Sequence, residues 1–121
     1  MALYTNLSYL QDLTDDDEVL IAESLKRYLS SSPTQLNKLI ESTENKQWDT
    51  IHDSAHSLFA TTQIVGISQI AVPLKEIQTL ARESKKDYNL IKSKVEYVAQ
   101  VVRKSQEEVT KHLNNLGTDL S

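Results

Sequence analysis

Between residues 48 and 66 the chain carries a pattern that admits one kind of local structure. Trp48, Ile51, Ala55, Leu58, Thr62 and Val65 recur at steps of three and four, and Gly66 then stops the run. Steps of that size return to one side of an α-helix, so these side chains form a stripe that needs a core to face. Only two glycines and two prolines occur in the 121 residues. That is too little punctuation for many short strands, and it suits long helices joined by few turns. A chain of this length forms one domain around one core, here expected over 1–121.

The neighbouring segments repeat the periodicity. Leu3, Leu7 and Leu10 predict a short N-terminal helix with Tyr4 beside it. Thr14, with Asp17 three residues on, is the expected N-cap of a second helix, and Asp15, Asp16 and Glu18 suit the positive end of its dipole. Ile21, Ala22, Leu25, Tyr28 and Leu29 give that helix its apolar side. Ser30-Ser31-Ser32-Pro33 predicts a break, with Ser32 capping a further helix and Pro33 in its first position. Leu36, Leu39, Ile40 and Thr43 face that helix inward, and Asn45-Lys46-Gln47 turns into the central stretch.

Gly66 has the position of a left-handed C-cap. The helix after it buries Ile70, Leu74, Ile77 and Ala81, and Pro73 predicts either a kink or a late start near Val72. Ser84 to Asp87 is the last break. Ile91, Val95, Val98, Val102, Val109, Leu113 and Leu116 then mark a long final helix, interrupted at Ser105 and Gln106. Its last part is expected to overhang the core and fray, or to pair with another chain. Short connections make successive helices antiparallel neighbours.

Charge and composition exclude several functions. The net charge is −4 and the basic residues are spread along the chain, which argues against nucleic acid as a partner. There is no cysteine, hence no disulfide framework and no thiolate metal site. No apolar run approaches the roughly 20 residues that span a bilayer, and no signal peptide is recognisable, so a cytoplasmic all-α domain without membrane contact is expected.

Chemistry concentrates on the central helix. His56 lies one position past Ala55, about 100° around from the core stripe. His52, Phe59 and Gln63 share its spacing and form a second stripe beside the buried one. An imidazole on a rigid helix, at the edge of a buried face and in reach of solvent, is a competent nucleophile toward a docked partner. A turn centred near Gly66 and Ile67 brings Gln78 level with His56 and Arg82 one turn beyond. For each of these residues the plain alternative is a solvated helix face. His52-Asp53-Ser54-Ala55-His56 is also similar to the His-Glu-x-x-His zinc motif. Aspartate is one methylene shorter than the general base of that chemistry, and the third histidine, His112, is far along the chain. No bound metal is expected.

Ala55-His56-Ser57-Leu58-Phe59-Ala60-Thr61-Thr62-Gln63-Ile64-Val65-Gly66 resembles the histidine-containing phosphotransfer (HPt) domains of bacterial phosphorelays. Their pattern is roughly Ala-His-x-Leu-Lys-Gly-Ser-x-x-x-(Leu/Ile/Val)-Gly, matched here at Ala55, His56, Leu58, Thr61, Val65 and Gly66. Weaker likeness extends over the chain, through Asp17, Trp48-Asp49 and Lys75-Glu76-Ile77. The resemblance implies an antiparallel four-helix bundle with short N-terminal helices, in which His56 carries a phosphoryl group between receiver-domain aspartates. It implies a response regulator receiver or a hybrid sensor kinase as partner. It also implies no cofactor of the chain's own, since the receiver supplies magnesium. His52, Phe59, Ala60, Gln63, Gln78 and Arg82 are the expected docking surface. The chain departs from the pattern where Phe59 replaces lysine and Ala60 replaces glycine. Those departures define a second expectation, a phosphorelay-like module that binds a receiver or another signalling partner without transferring.

Overall fold

The computed structural model describes residues 4–116. Five helices and no strand occur among them: α1 (Ser8–Thr14), α2 (Glu18–Glu44), α3 (Trp48–Ile64), α4 (Ala71–Arg82) and α5 (Tyr88–Asn115). None of the described helices is long and apolar enough to cross a membrane. Each of the four longer helices packs on two others: α2 on α3 and α5, and α4 on α3 and α5. Their apolar stripes meet in one core that includes Leu25, Leu39, Ile51, Leu58, Leu74, Ile77, Val98 and Val102. Leu3, assigned above to the first helix, lies outside the described residues.

The predicted break at Ser30-Ser31-Ser32-Pro33 does not exist. α2 runs through Pro33 for 27 residues, and Ser32 caps nothing. An interior proline costs a helix about 3 kcal/mol through a lost hydrogen bond and a steric clash. Packing on both sides of Pro33 outweighs that. Tyr28, Leu36 and Leu39 are buried, each contributing on the order of 2 kcal/mol, and only a continuous helix aims all three at the core. Pro33 itself is exposed, so the Leu29 carbonyl that a proline cannot serve lies on the side nearest water.

Ser105 and Gln106, which interrupt the apolar run of α5, meet this same level of α2. The Tyr28 hydroxyl is 2.6 Å from Ser105 Oγ, Ser105 Oγ donates to the Val102 carbonyl, and Gln106 Nε2 donates to Ser32 Oγ at 3.0 Å. Burial pushes the Tyr28 phenol above its ordinary pKa, against the hydrogen bonds from Ser105 and Ser32. The interruption is a matched polar layer inside the α2–α5 interface, where a buried hydroxyl without a partner would destabilise.

Thr14 is not an N-cap. It is the last residue of α1, and its hydroxyl donates to the Leu10 carbonyl. Asp15 and Asp16 both take positive φ to reverse the chain. Asp17 caps α2 instead, its carboxylate accepting from the Val19 and Leu20 amides. The end of α5 does not overhang. Val109 and Leu113 are buried, covered where the N-terminal segment is clasped to α5: the Glu108 carboxylate accepts from the Tyr4 amide and from the Thr5 amide and hydroxyl.

Gly66 follows α3 in the left-handed conformation, φ +69, and its amide bonds to the Gln63 carbonyl. A second constraint acts here. The Asn6 amide donates to the Val65 carbonyl, and a Cβ on Gly66 would stand 2.0 Å from the Asn6 carbonyl oxygen. Ile67 and Ile70 are buried in the loop that follows. α4 starts at Ala71, which makes Pro73 its third residue. That is the late start expected near Val72, and an amide there has no helical acceptor to lose. The loop returns α4 antiparallel to α3. At the opposite end of this pair, Lys86 donates to the Ala81 carbonyl at 2.7 Å and lies over the Trp48 ring at 5.7 Å, tying the exit of α4 to the start of α3.

Two substitutions test these points. Gly66→Ala combines left-handed strain with backbone overlap at Asn6, and is expected to lower stability by at least about 2 kcal/mol, read as a lower urea midpoint at unchanged slope. Pro33→Ala is expected to raise stability by about 1–3 kcal/mol, because α2 regains a hydrogen bond in a helix that is already continuous. A destabilised Pro33→Ala would mean that α2 is broken there.

Candidate functional site

The buried stripe of α3 fixes which residues face outward. Ile51, Ala55, Leu58 and Thr62 are buried, with Leu58 completely enclosed. His56 is exposed and His52 and Phe59 are half-buried beside it. Antiparallel α4 presents its own step of three and four, Lys75, Gln78, Thr79 and Arg82, across from them. The two rows enclose an open groove of about 720 Å³ lined by His52, His56, Phe59, Lys75, Gln78, Thr79, Arg82 and Glu83.

Of the residues that the sequence singled out, the structure brings His52, His56, Phe59, Gln78 and Arg82 to this one groove. Ala60 and Gln63 are exposed on α3 but do not line it. Lys75, Thr79 and Glu83 are the lining residues that sequence reasoning did not place at the site. For Lys75 and Thr79 the signal was present, since they complete the outward row through Gln78 and Arg82.

Phe59 is neither plain core nor a free apolar anchor. It packs against the core cluster from the half-buried position, and the Lys75 ammonium sits over its ring, 5.0 Å from the centroid. Such a contact is worth about 0.5–1 kcal/mol at an exposed site. A cation therefore stands over Phe59, delivered by the neighbouring helix.

His52 and His56 differ in their surroundings. His52 Nδ1 is 3.1 Å from Asp53 Oδ1. This hydrogen bond, aided by the charges of His52, Arg82 and Lys38, holds the Asp53 carboxyl below its ordinary pKa. His56 has no hydrogen-bond partner among the described residues, so neither ring nitrogen is committed. Its ring is open to solvent and faces the cations of the groove. That arrangement provides a nitrogen nucleophile, an amide donor in Gln78, and positive charge in Lys75 and Arg82 for an anion.

Among the described residues, no group of three or more His, Asp or Glu is arranged to hold a metal ion. His112 lies elsewhere, on α5, with Nε2 3.5 Å from the Thr5 hydroxyl. His52 and His56 thus lack a third ligand from that residue.

No family model matches the chain, and neither the curated proteins nor the solved structures contain a match to it.

The Asp53 arrangement gives a test with a defined sign. A depressed carboxyl contributes stability above its ordinary pKa and loses it as pH falls through the lowered value. Carbon-detected NMR titration should find Asp53 below the ordinary aspartate range, and His52→Ala should move its midpoint upward. An unmoved midpoint would show that the His52–Asp53 contact is not formed in solution.

Proposed function

We propose that this chain is an antiparallel four-helix bundle of the phosphorelay type, with α1 as its short N-terminal helix and His56 carrying phosphoryl groups between receiver-domain aspartates. The observation that carries the reading is the placement of His56: solvent-open and uncommitted, on a rigid helix, at a groove lined by two cations, Lys75 and Arg82, and one carboxylate, Glu83. In the transfer step, His56 Nε2 attacks the phosphorus of a receiver's aspartyl phosphate. The N–P bond forms as the acyl P–O bond breaks, the carboxylate leaves, and the imidazole keeps its Nδ1 proton. The return transfer reverses these bonds. Gln78 and Arg82 are assigned to the phosphoryl oxygens, by hydrogen bonding and by charge. The magnesium that receivers use belongs to the receiver's own site. Ala60 and Gln63, exposed on the same helix, extend the docking surface beyond the groove. A relay of this kind works in the cytoplasm.

One observation favours a second reading, a module that binds a receiver without transfer: Phe59 and Ala60 stand where relatives of this type have lysine and glycine. The two readings separate experimentally. Under transfer, wild type takes an acid-labile label from a phosphorylated receiver that binds it. His56→Gln takes none, while its affinity, measured by calorimetry, stays within about twofold because one exposed side chain contributes little to a docked surface. A wild-type chain that binds phosphorylated receivers and is never labelled would leave the binding module standing and remove the transfer reading.

A further inference from the structure

We infer that Lys75 is a second phosphoryl-holding cation of the groove beside Arg82, kept over the Phe59 ring while His56 is unmodified and drawn to the phosphoryl oxygens once His56 is modified. The inference rests on the phosphotransfer reading and goes beyond it by assigning a residue from outside the histidine motif.

Three observations converge. Phe59 follows His56 by three residues, so its ring lies within one helical turn of the imidazole. The Lys75 ammonium is centred over that ring at 5.0 Å. Lys75 and His56 line the same groove. An ammonium on a flexible four-carbon stem, over a ring one helical turn from the imidazole, is a mobile cation at the same groove. No carboxylate holds it in place. Among the described residues the ion pairs of the neighbourhood are His52–Asp53 and Lys94–Glu76, and Lys75 is in neither.

The energetic ordering sets the direction of the move. The ring offers a quadrupole, a weak attraction at an exposed site. A phosphoryl group on His56 offers close to two full negative charges and three acceptor oxygens. The ring is therefore the weaker of two partners, sufficient to keep the ammonium at the groove before transfer and too weak to retain it afterwards. This gives Phe59 a role that its side chain alone would not suggest. It stands where the phosphorelay pattern has a lysine and has a lysine from α4 over its ring.

The test uses phosphoramidate as a receiver-free donor. His56 Nε2 attacks phosphorus, the N–P bond to the ring forms, the donor's P–N bond breaks and ammonia leaves. At fixed phosphoramidate and ammonium concentrations, 31P NMR reads the phosphorylated-to-free ratio. Wild type should label and His56→Gln should not. Lys75→Gln should lower the ratio several-fold, up to about tenfold for one exposed cation, while lowering the thermal midpoint by no more than the few degrees that loss of the ring contact costs. Lys75→Arg should retain it. Phe59→Lys in the Lys75→Gln background should restore it, by returning an ammonium to within a turn of His56. The Phe59 ring protons should shift on labelling in wild type and stay unmoved in Lys75→Gln. Labelled wild type with an unaffected Lys75→Gln would overturn the Lys75 assignment and leave phosphotransfer intact. An unlabelled wild type that also takes no label from phosphorylated receivers would remove both.

Discussion

The approach of the Asn6 backbone to Gly66 is the constraint on which the groove depends. The Asn6 amide donates to the Val65 carbonyl just past α3, and the Asn6 carbonyl leaves no room for a side chain at position 66. The chain must therefore turn there, in a left-handed conformation open to glycine at little cost. That turn decides where α4 begins and makes Pro73 harmless. It also decides which residues of α4 lie opposite His52, His56 and Phe59. A shift of one residue in the loop would rotate the facing row by about 100° and carry Lys75 and Arg82 away from the histidine.

The resulting site is wet and lightly organised. Its charges are exposed, so each pairwise interaction is worth about 1 kcal/mol or less. The proposed chemistry would rely on position more than on field strength. α3 is anchored along its inner face by fully buried side chains, which keeps the outward residues in fixed relative places. Nothing in the groove is built to exclude solvent, and a docking partner would have to supply that enclosure. This division suits a carrier, whose modified state must be offered to a second protein and not sequestered.

What could be read from the chain follows the range of the forces involved. The α3 stripe, the glycine turn, the late start of α4 and the facing of Gln78 and Arg82 toward His56 rest on contacts between near neighbours in sequence, and periodicity reports those. Pro33 misleads because its local preference is overridden by burial of Tyr28 and Leu36 against helices remote in sequence. Thr14 misleads because capping depends on where α1 stops, which the Asp15–Asp16 reversal sets. Ser105 and Gln106 look like a flaw in α5 until their partners on α2 are known, since a polar residue at a core position is matched only in three dimensions. Lys75 lies on the outward row that periodicity shows, but its place over a ring on another helix is visible only in three dimensions.

The Glu108 clasp has a kinetic consequence. Most helix pairs are adjacent in sequence and close short loops, while the α2–α5 layer, with Tyr28 and Ser105 lying 77 residues apart, closes a long one. The Tyr4 and Thr5 bonds to Glu108 span 104 and 103 residues. Closing a loop ten times longer costs about 2 kcal/mol more chain entropy, so contacts of this span are expected to form after neighbouring helices have paired, among them the clasp. Opening it bares Val109 and Leu113 and loosens the Asn6 contact that holds Gly66. Slow-exchanging amides should thus concentrate in α3 and the middle of α5, with the N-terminal strap the part of the molecule that breathes, and with it the turn that keeps α4 in register.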